Sequence, residues 1–229
     1  MTLLKKIGHV LTTDIKKDFL TKKNENSTVY LPENFVDILK KRRSVYTLGK
    51  KLTYSQSYLT ELIQEAVRSC PSILNSQTTR VVILYSNSHH EFWEEVRNIQ
   101  KEYVSHQIFE SVDFRINQCI QAFATVLFYE DLNAVEDLKK QKPFDAQYYD
   151  AWIEQVSGMA QFSVWATLAD ADIGASLQHY NVGVEKMMVE NYDIPCSWQL
   201  KSQLIFGSIE KAVSAKSHID YQQQFRVFH

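Results

Sequence analysis

The stretch YYDAWIEQVSGMAQFSVWATLADADIGASLQHYN, residues 148–181, sets the architecture. Trp152, Val156, Met159, Ala160, Val164 and Leu168 recur at helical spacing, and the second half of the run is almost free of charge. That pattern predicts a long helix over 148–171, buried on most of its sides and central to the fold. GASLQ, 174–178, then predicts a short strand, so a buried helix runs directly into a sheet.

Working outward, RVVILYS at 80–86 and FATVLFYE at 123–130 are rich in branched and aromatic residues and read as strands, with WQLKSQLIFG at 198–207 as the last. Phe35, Ile38 and Leu39 predict a short helix ending near the arginines at 42 and 43. Leu59, Leu62, Ile63, Ala66 and Val67 predict another, closed by CPS at 70–72 because the residue before a proline avoids the helical region. Further helices are predicted from about His89 to Val104 and over VGVEKMMVENY, 182–192. Helices and strands alternate without repeats, which favours one sheet with helices on both faces.

With 229 residues, 45% of them hydrophobic, the chain can form one sizeable core. A formal net charge of -2 gives no general attraction to nucleic acid or anionic lipid, so no nucleic-acid partner is expected and any basic patch must act locally. Cys70, Cys119 and Cys196 are scattered and odd in number. They argue against a disulfide framework or a paired-cysteine metal site and predict a cytoplasmic chain. No run approaches the roughly 18 apolar residues of a membrane span, and the N-terminus lacks the apolar core of a signal peptide. Residues 1–31 read as an N-terminal helical arm, with Leu4, Ile7, Leu11, Ile15 and Phe19 on one face amid lysines, ahead of a globular domain over 32–229. Such an arm packs on the body or a partner subunit, or lies on a membrane surface.

The run KKRRSVYTLGK, 40–50, carries the most pointed chemistry. Lys40 to Arg43 either offset the dipole of a helix C-terminus, at about 0.3–1 kcal/mol each, or form an anion clamp. For the clamp, guanidinium forks and the Ser44 hydroxyl match phosphate oxygens. There are six glycines and neither G-x-G-x-x-G nor G-x-x-x-x-G-K-S, so a phosphate would be held by side chains. In PSILNSQ, 71–77, Asn75 and Gln77 are amides suited to a ring edge of alternating carbonyls and N–H groups, or ordinary turn formers. His179, in LQHYN, is a proton donor, a metal ligand or a plain packed or surface histidine, and no second ligand lies at metal spacing. His89 and His90 read as solvated, and Cys70, without a neighbouring His or CxxC partner, is not expected to be a nucleophile.

In order and spacing, RRSVYTLGK, PSILNSQ, ADIGASLQHYN and the FRVF tail resemble the motif series of the nitroreductase family of flavin mononucleotide (FMN) enzymes. The subgroup that they most resemble is the fatty-acid-repression-like one, from about Phe35 to the chain end. The resemblance implies an α+β fold, a mixed but mostly antiparallel sheet flanked by helices, in an intertwined homodimer with flavin at the interface. It implies that Arg42 and Ser44 grip the flavin phosphate, that Arg43 lies near the ring, and that Asn75 and Gln77 supply ring-edge amides. By the same likeness Leu177, Gln178 and His179 approach the reactive nitrogen through backbone N–H groups, and Lys216 and Arg226 close over the phosphate.

The implied activity is ping-pong: NADH or NADPH gives a hydride to flavin N5, and a nitroaromatic, quinone or similar acceptor then takes the electrons. No catalytic side chain is needed. Phe109, Phe114 and Tyr148 line the acceptor pocket or belong to the core. The chain departs from the family at Tyr46, where many members carry a base, a change that bears on redox potential. The alternative to an enzyme is a non-catalytic flavin-binding redox sensor or regulatory protein.

Overall fold

The computed structural model describes residues 35–229, so the arm read over 1–31 lies outside the described residues. In chain order the elements are α1 (Phe35–Lys41), β1 (Leu48–Gly49), α2 (Gln56–Arg68), β2 (Thr79–Tyr85), α3 (Ser86–Tyr103), α4 (His106–Ile120) and β3 (Ala124–Asp131). They continue with α5 (Leu132–Gln141), α6 (Tyr149–Asp170), β4 (Gly174–Gln178), α7 (Val184–Tyr192), β5 (Trp198–Ile209) and α8 (Tyr221–Gln224). The four strands expected at 80–86, 123–130, 174–178 and 198–207 are all present, the last extended to Ile209. The long helix begins at Tyr149, after a 3-10 turn over Pro143–Tyr148.

Strand β5 is the spine of the sheet. One side of it pairs with β3, which pairs in turn with the edge strand β2; on the other side β4 and β1 follow one another along its length. Every ladder is antiparallel, and the parallel element is a single bridge between Ser44 and Ala175.

Both faces of this sheet are covered because its inner strands are apolar on both faces. From β3, Ala124, Val126 and Phe128 join Leu204 and Phe206 of β5 in a core against Leu59 and Ile63 of α2 and Val164 and Leu168 of α6. Leu127 and Tyr129 point the other way, with Ile205, into a core built by Phe92, Trp93 and Val96 of α3, Ile116 and Cys119 of α4 and Met188 of α7. One residue breaks the two-residue period. Phe128 pairs with Ser202 but Tyr129 pairs with Leu200, so Lys201 bulges out and Leu200 lands in the core that holds Ile205.

Three helices, α4, α5 and the short α8, have no counterpart in the sequence reading. In α4 the apolar stripe is narrow, with Ile116, Cys119 and Ile120 buried while Ile108 and Phe114 stay exposed. Core packing is thereby ruled out for Phe114, and Tyr148 is also half exposed.

The reading of His89 as solvated is corrected: its side chain is buried. Its Nδ1 lies 2.8 Å from the Thr125 hydroxyl, which also accepts from Trp93 Nε1–H at 2.8 Å. A carbonyl only accepts, so Nε2, facing the Ile120 carbonyl at 3.4 Å, carries the imidazole proton, and Nδ1 accepts from the Thr125 hydroxyl. Burial pushes the His89 pKa down from 6.5 to about 4. His90, its neighbour, is exposed.

Two outcomes are expected. The unfolded chain takes up the His89 proton more readily than the folded one, so this histidine's contribution to stability is intact above pH 6.5 and lost as pH falls toward 4. The full loss is on the order of 3 kcal/mol; urea midpoints of wild type should drop across that window more steeply than those of His89→Gln. A Cβ at Gly207 would stand 2.2 Å from the Gly49 carbonyl oxygen and 3.0 Å from the Phe123 nitrogen. Gly207→Ala should therefore cost about 2 kcal/mol or more in chemical denaturation, by forcing β1 away from β5.

Candidate functional site

Helix α1 stops at Lys41, and the chain then turns along β4 instead of returning to solvent. Val45 N–H donates to the Ala175 carbonyl at 2.9 Å, and Ser44 bridges Ala175 in parallel. Arg42, Arg43 and Ser44 are thus held against the sheet, where they line a cavity of about 770 Å³ with Tyr46, Thr47, Lys211, Ala212, Val213, Ser214 and Lys216. The lining carries four cations and no carboxylate. Among the described residues neither Arg42 nor Arg43 has an acidic partner, whereas Lys40 and Lys41 are paired with Asp37 and Asp172. Offsetting the dipole of α1 therefore falls to the lysines, leaving the arginines for another use.

The Arg42 guanidinium lies 4.3 Å from the centre of the Trp165 ring on α6. Its pKa is lowered by burial and further by the charge of Arg43. Two adjacent like charges, half-buried and without a counter-ion, favour an anion between them. The buried Trp165 Nε1–H also lacks an acceptor among the described residues.

From Ala175, β4 carries the chain past Leu177 and Gln178 to His179, about 10–13 Å along the strand at the usual rise per residue. Gln178 is buried and donates to Ser176, while His179 is exposed. The exit from β4 is fixed by Gln203 of β5: its Oε1 accepts from Tyr180 N–H at 2.8 Å and its Nε2 donates to Asn181 at 2.9 Å. Asn181 in turn donates to the carbonyls of Leu200 and Lys201, and Glu185 accepts from Leu200 N–H, so the bulge in β5 keeps its backbone satisfied. Asn181 therefore serves the backbone.

Asn75 and Gln77 sit elsewhere in the chain. They lie in a loop with three left-handed residues, Leu74 (φ 51°), Asn75 (φ 56°) and Gln77 (φ 49°). Leucine and glutamine rarely adopt that region, so the loop is strained and needs fastening. Ser72 Oγ accepts from Gln77 N–H, and Arg80 donates to the Gln77 carbonyl while pairing with Asp131 at 3.0 Å. Just beyond, the Thr78 and Thr79 hydroxyls donate at 2.7 Å to buried Glu130, whose pKa is raised by burial. Gln77 faces a smaller cavity of about 190 Å³ with Cys70, Thr79 and Arg80. Burial and Glu130 raise the Cys70 pKa against a hydrogen bond from Ser163, so this thiol is not activated.

Of the remaining residues Lys216 joins the cation cavity, whereas Arg226 donates to the carbonyls of Gln222 and Phe225 beside α8. The sequence reading missed Lys211, whose signal is a base two residues after the last strand, and Arg80, whose role as a loop fastener has no local signature.

The chain was compared with known proteins. It is 28% identical over 188 residues to HBN1 of Saccharomyces cerevisiae, an alignment covering 81% of this chain and 93% of that one. Its structure aligns with nitroreductase CinD from Lactococcus lactis, solved with nicotinic acid, at a TM-score of 0.78 and 33% identity, covering 86% of this chain and 100% of the other. A Desulfovibrio desulfuricans structure holding FMN aligns at a TM-score of 0.64 over 87% of this chain and 99% of its own, with 13% identity, and speaks for the fold alone. The Nitroreductase family model matches residues 39–208, from the last turn of α1 to the end of the strand that organises the sheet, and the chain accordingly belongs to the nitroreductase family of oxidoreductases.

Proposed function

We propose that the chain is an FMN-dependent NAD(P)H oxidoreductase that reduces nitroaromatics, quinones or similar acceptors. The observation that carries this reading is the cavity beside β4, with four cations and no carboxylate. It fits a nucleotide phosphate held by side chains, in a chain with no glycine-rich loop to do so with backbone. Bound FMN supplies the electron transfer, taking a hydride from NADH or NADPH and passing it to the acceptor by a ping-pong exchange.

The protein's own part is to bind, orient and exclude water. Arg42 and Ser44 hold the phosphate, with Lys216 closing from the tail and Arg43 reaching toward the ring. The stretch Leu177 to His179, one strand length away, offers backbone N–H groups where the ring would lie. Asn75 and Gln77 are not on this cavity, so in this reading they serve the flavin of a second copy, and Arg226 reaches the phosphate of a partner in the same manner. A homodimer is further supported by the apolar groove of about 440 Å³ between α1, α2 and α6, where Met159 and Phe162 are each 40% exposed. Free Cys70, Cys119 and Cys196 fit a reducing compartment such as the cytoplasm.

Purified protein should be yellow and should oxidise NADH or NADPH in steady state with menadione or a nitroarene as acceptor. A colourless protein that takes up no FMN would refute the reading. Losing a charge-assisted phosphate contact costs about 1.5–3 kcal/mol, so Arg42→Ala should weaken FMN binding about 10- to 100-fold in a fluorescence titration. Arg42→Ala combined with Arg226→Ala should lose most of the flavin while far-UV circular dichroism and dimer mass stay unchanged. Unaltered FMN occupancy in the double variant would remove the clamp.

A further inference from the structure

Trp165, in the last turns of α6, is not among the residues that line the cation cavity, yet the Arg42 guanidinium rests over its ring, 4.3 Å from the centre. The tryptophan is half-buried and packs against the core of Val164, Leu168, Ile173 and Phe206, and it lines a small cavity of about 30 Å³ with Arg43, Val45 and Gly174. The ring is thus anchored in the body of the fold beside the segment that carries the arginines. Arg42 has little else to hold it. Among the described residues its guanidinium has neither a carboxylate partner nor a hydrogen-bond acceptor. Burial and then the charge of Arg43 both lower its pKa, so both act against the cation where it sits. Trp165 is also a poor choice for packing alone, because its buried Nε1–H finds no acceptor among the described residues, a penalty that Phe or Leu would avoid.

We infer that Trp165 is a positioning residue that seats the Arg42 guanidinium over its ring and so keeps the arginine's charge and N–H donors unpaired for a phosphate. The inference rests on the reading of the cavity as the FMN phosphate site. A carboxylate and an aromatic face hold an arginine in different ways. The carboxylate takes the N–H edge and cancels the charge, which are the two things a phosphate needs. The π face attracts the cation across the ring and leaves both in place. Tryptophan does this best of the aromatic side chains, which accounts for an indole at a position where its N–H goes unpaired. An arginine side chain carries about 2 kcal/mol of rotamer entropy, and a seated one has already given up part of it before the anion arrives.

The test is a double-mutant cycle on the full chain, with FMN affinity read by flavin fluorescence in wild type, Trp165→Leu, Arg42→Ala and the double variant. Loss of a cation–π seat at a partly desolvated site should make Trp165→Leu bind FMN about tenfold more weakly. Trp165→Phe, which keeps a weaker aromatic face, should lose about threefold. In the Arg42→Ala background no guanidinium is left to seat, and Trp165→Leu should then change the affinity by less than about twofold. A residue that only packs would weaken binding equally in both backgrounds; that additive result overturns the inference, as does an unaltered affinity in Trp165→Leu. Should Trp165→Leu fail to fold by far-UV circular dichroism, the same cycle run with Trp165→Phe decides. A loss seen with Arg42 and absent without it supports the seat, and no loss, or an equal one in both backgrounds, overturns it. Those outcomes bear on this inference alone, whereas a wild-type chain that takes up no FMN overturns the cofactor reading with it.

Discussion

A single backbone hydrogen bond, from Val45 N–H to the Ala175 carbonyl at 2.9 Å, ties the segment after α1 to the sheet. Without it the segment after α1 would be a surface loop and its arginines would be solvated charges. With it, Ser44 bridges the edge of β4, and β1 then continues along β5. The chain leaves β5 beside this point, so Lys211 and Lys216 meet Arg42 and Arg43 although they are far apart in sequence. The cavity is a product of topology: the segment after the first described helix is bridged to β4 at Ser44, and the residues that follow β5 leave the strand beside it.

Much of this could be read from residue types. The strands announced themselves by branched and aromatic runs, and α6 by a long uncharged pattern, since burial on several sides leaves that mark. Arg42, Arg43 and Ser44 stood out as adjacent donors in a chain without a glycine-rich loop, and Lys216 only through the family resemblance; all four line one cavity. Helix α4 was not: two of its apolar residues, Ile108 and Phe114, face outward, which blurs its period. The burial of His89 was hidden because it depends on Thr125 and Trp93, partners the local sequence does not name. Asn75 and Gln77 were recognised as chemistry but not as geometry, since a loop with three left-handed residues takes its shape from Arg80, Glu130 and Asp131 across β2 and β3.

Strain and fastening go together in this fold. The loop over 72–77 is costly to form, and it is tied down by a buried carboxylate, an ion pair and a serine hydroxyl within a few residues of one another. Rigid loops of this kind lose little entropy when a ligand arrives. The exit of β4 is held in the same way, by Gln203 and Asn181, and Asn181 also closes the backbone of the bulge opposite. Polar side chains buried in this sheet are therefore mostly joinery between the strands and the loops that leave them.

The bulge at Lys201 has a bearing on how such a strand can change over evolutionary time. Downstream of it, even-numbered residues of β5 face α6; upstream, Leu200 faces α3 and α7. Because Lys201 is the residue left unpaired, deleting it alone would keep Leu200 opposite Tyr129 and the strand in phase, whereas removing two adjacent residues there would turn the beginning of the strand inside out. Single-residue length variation within β5 should accordingly be tolerated at the bulge and nowhere else along the strand.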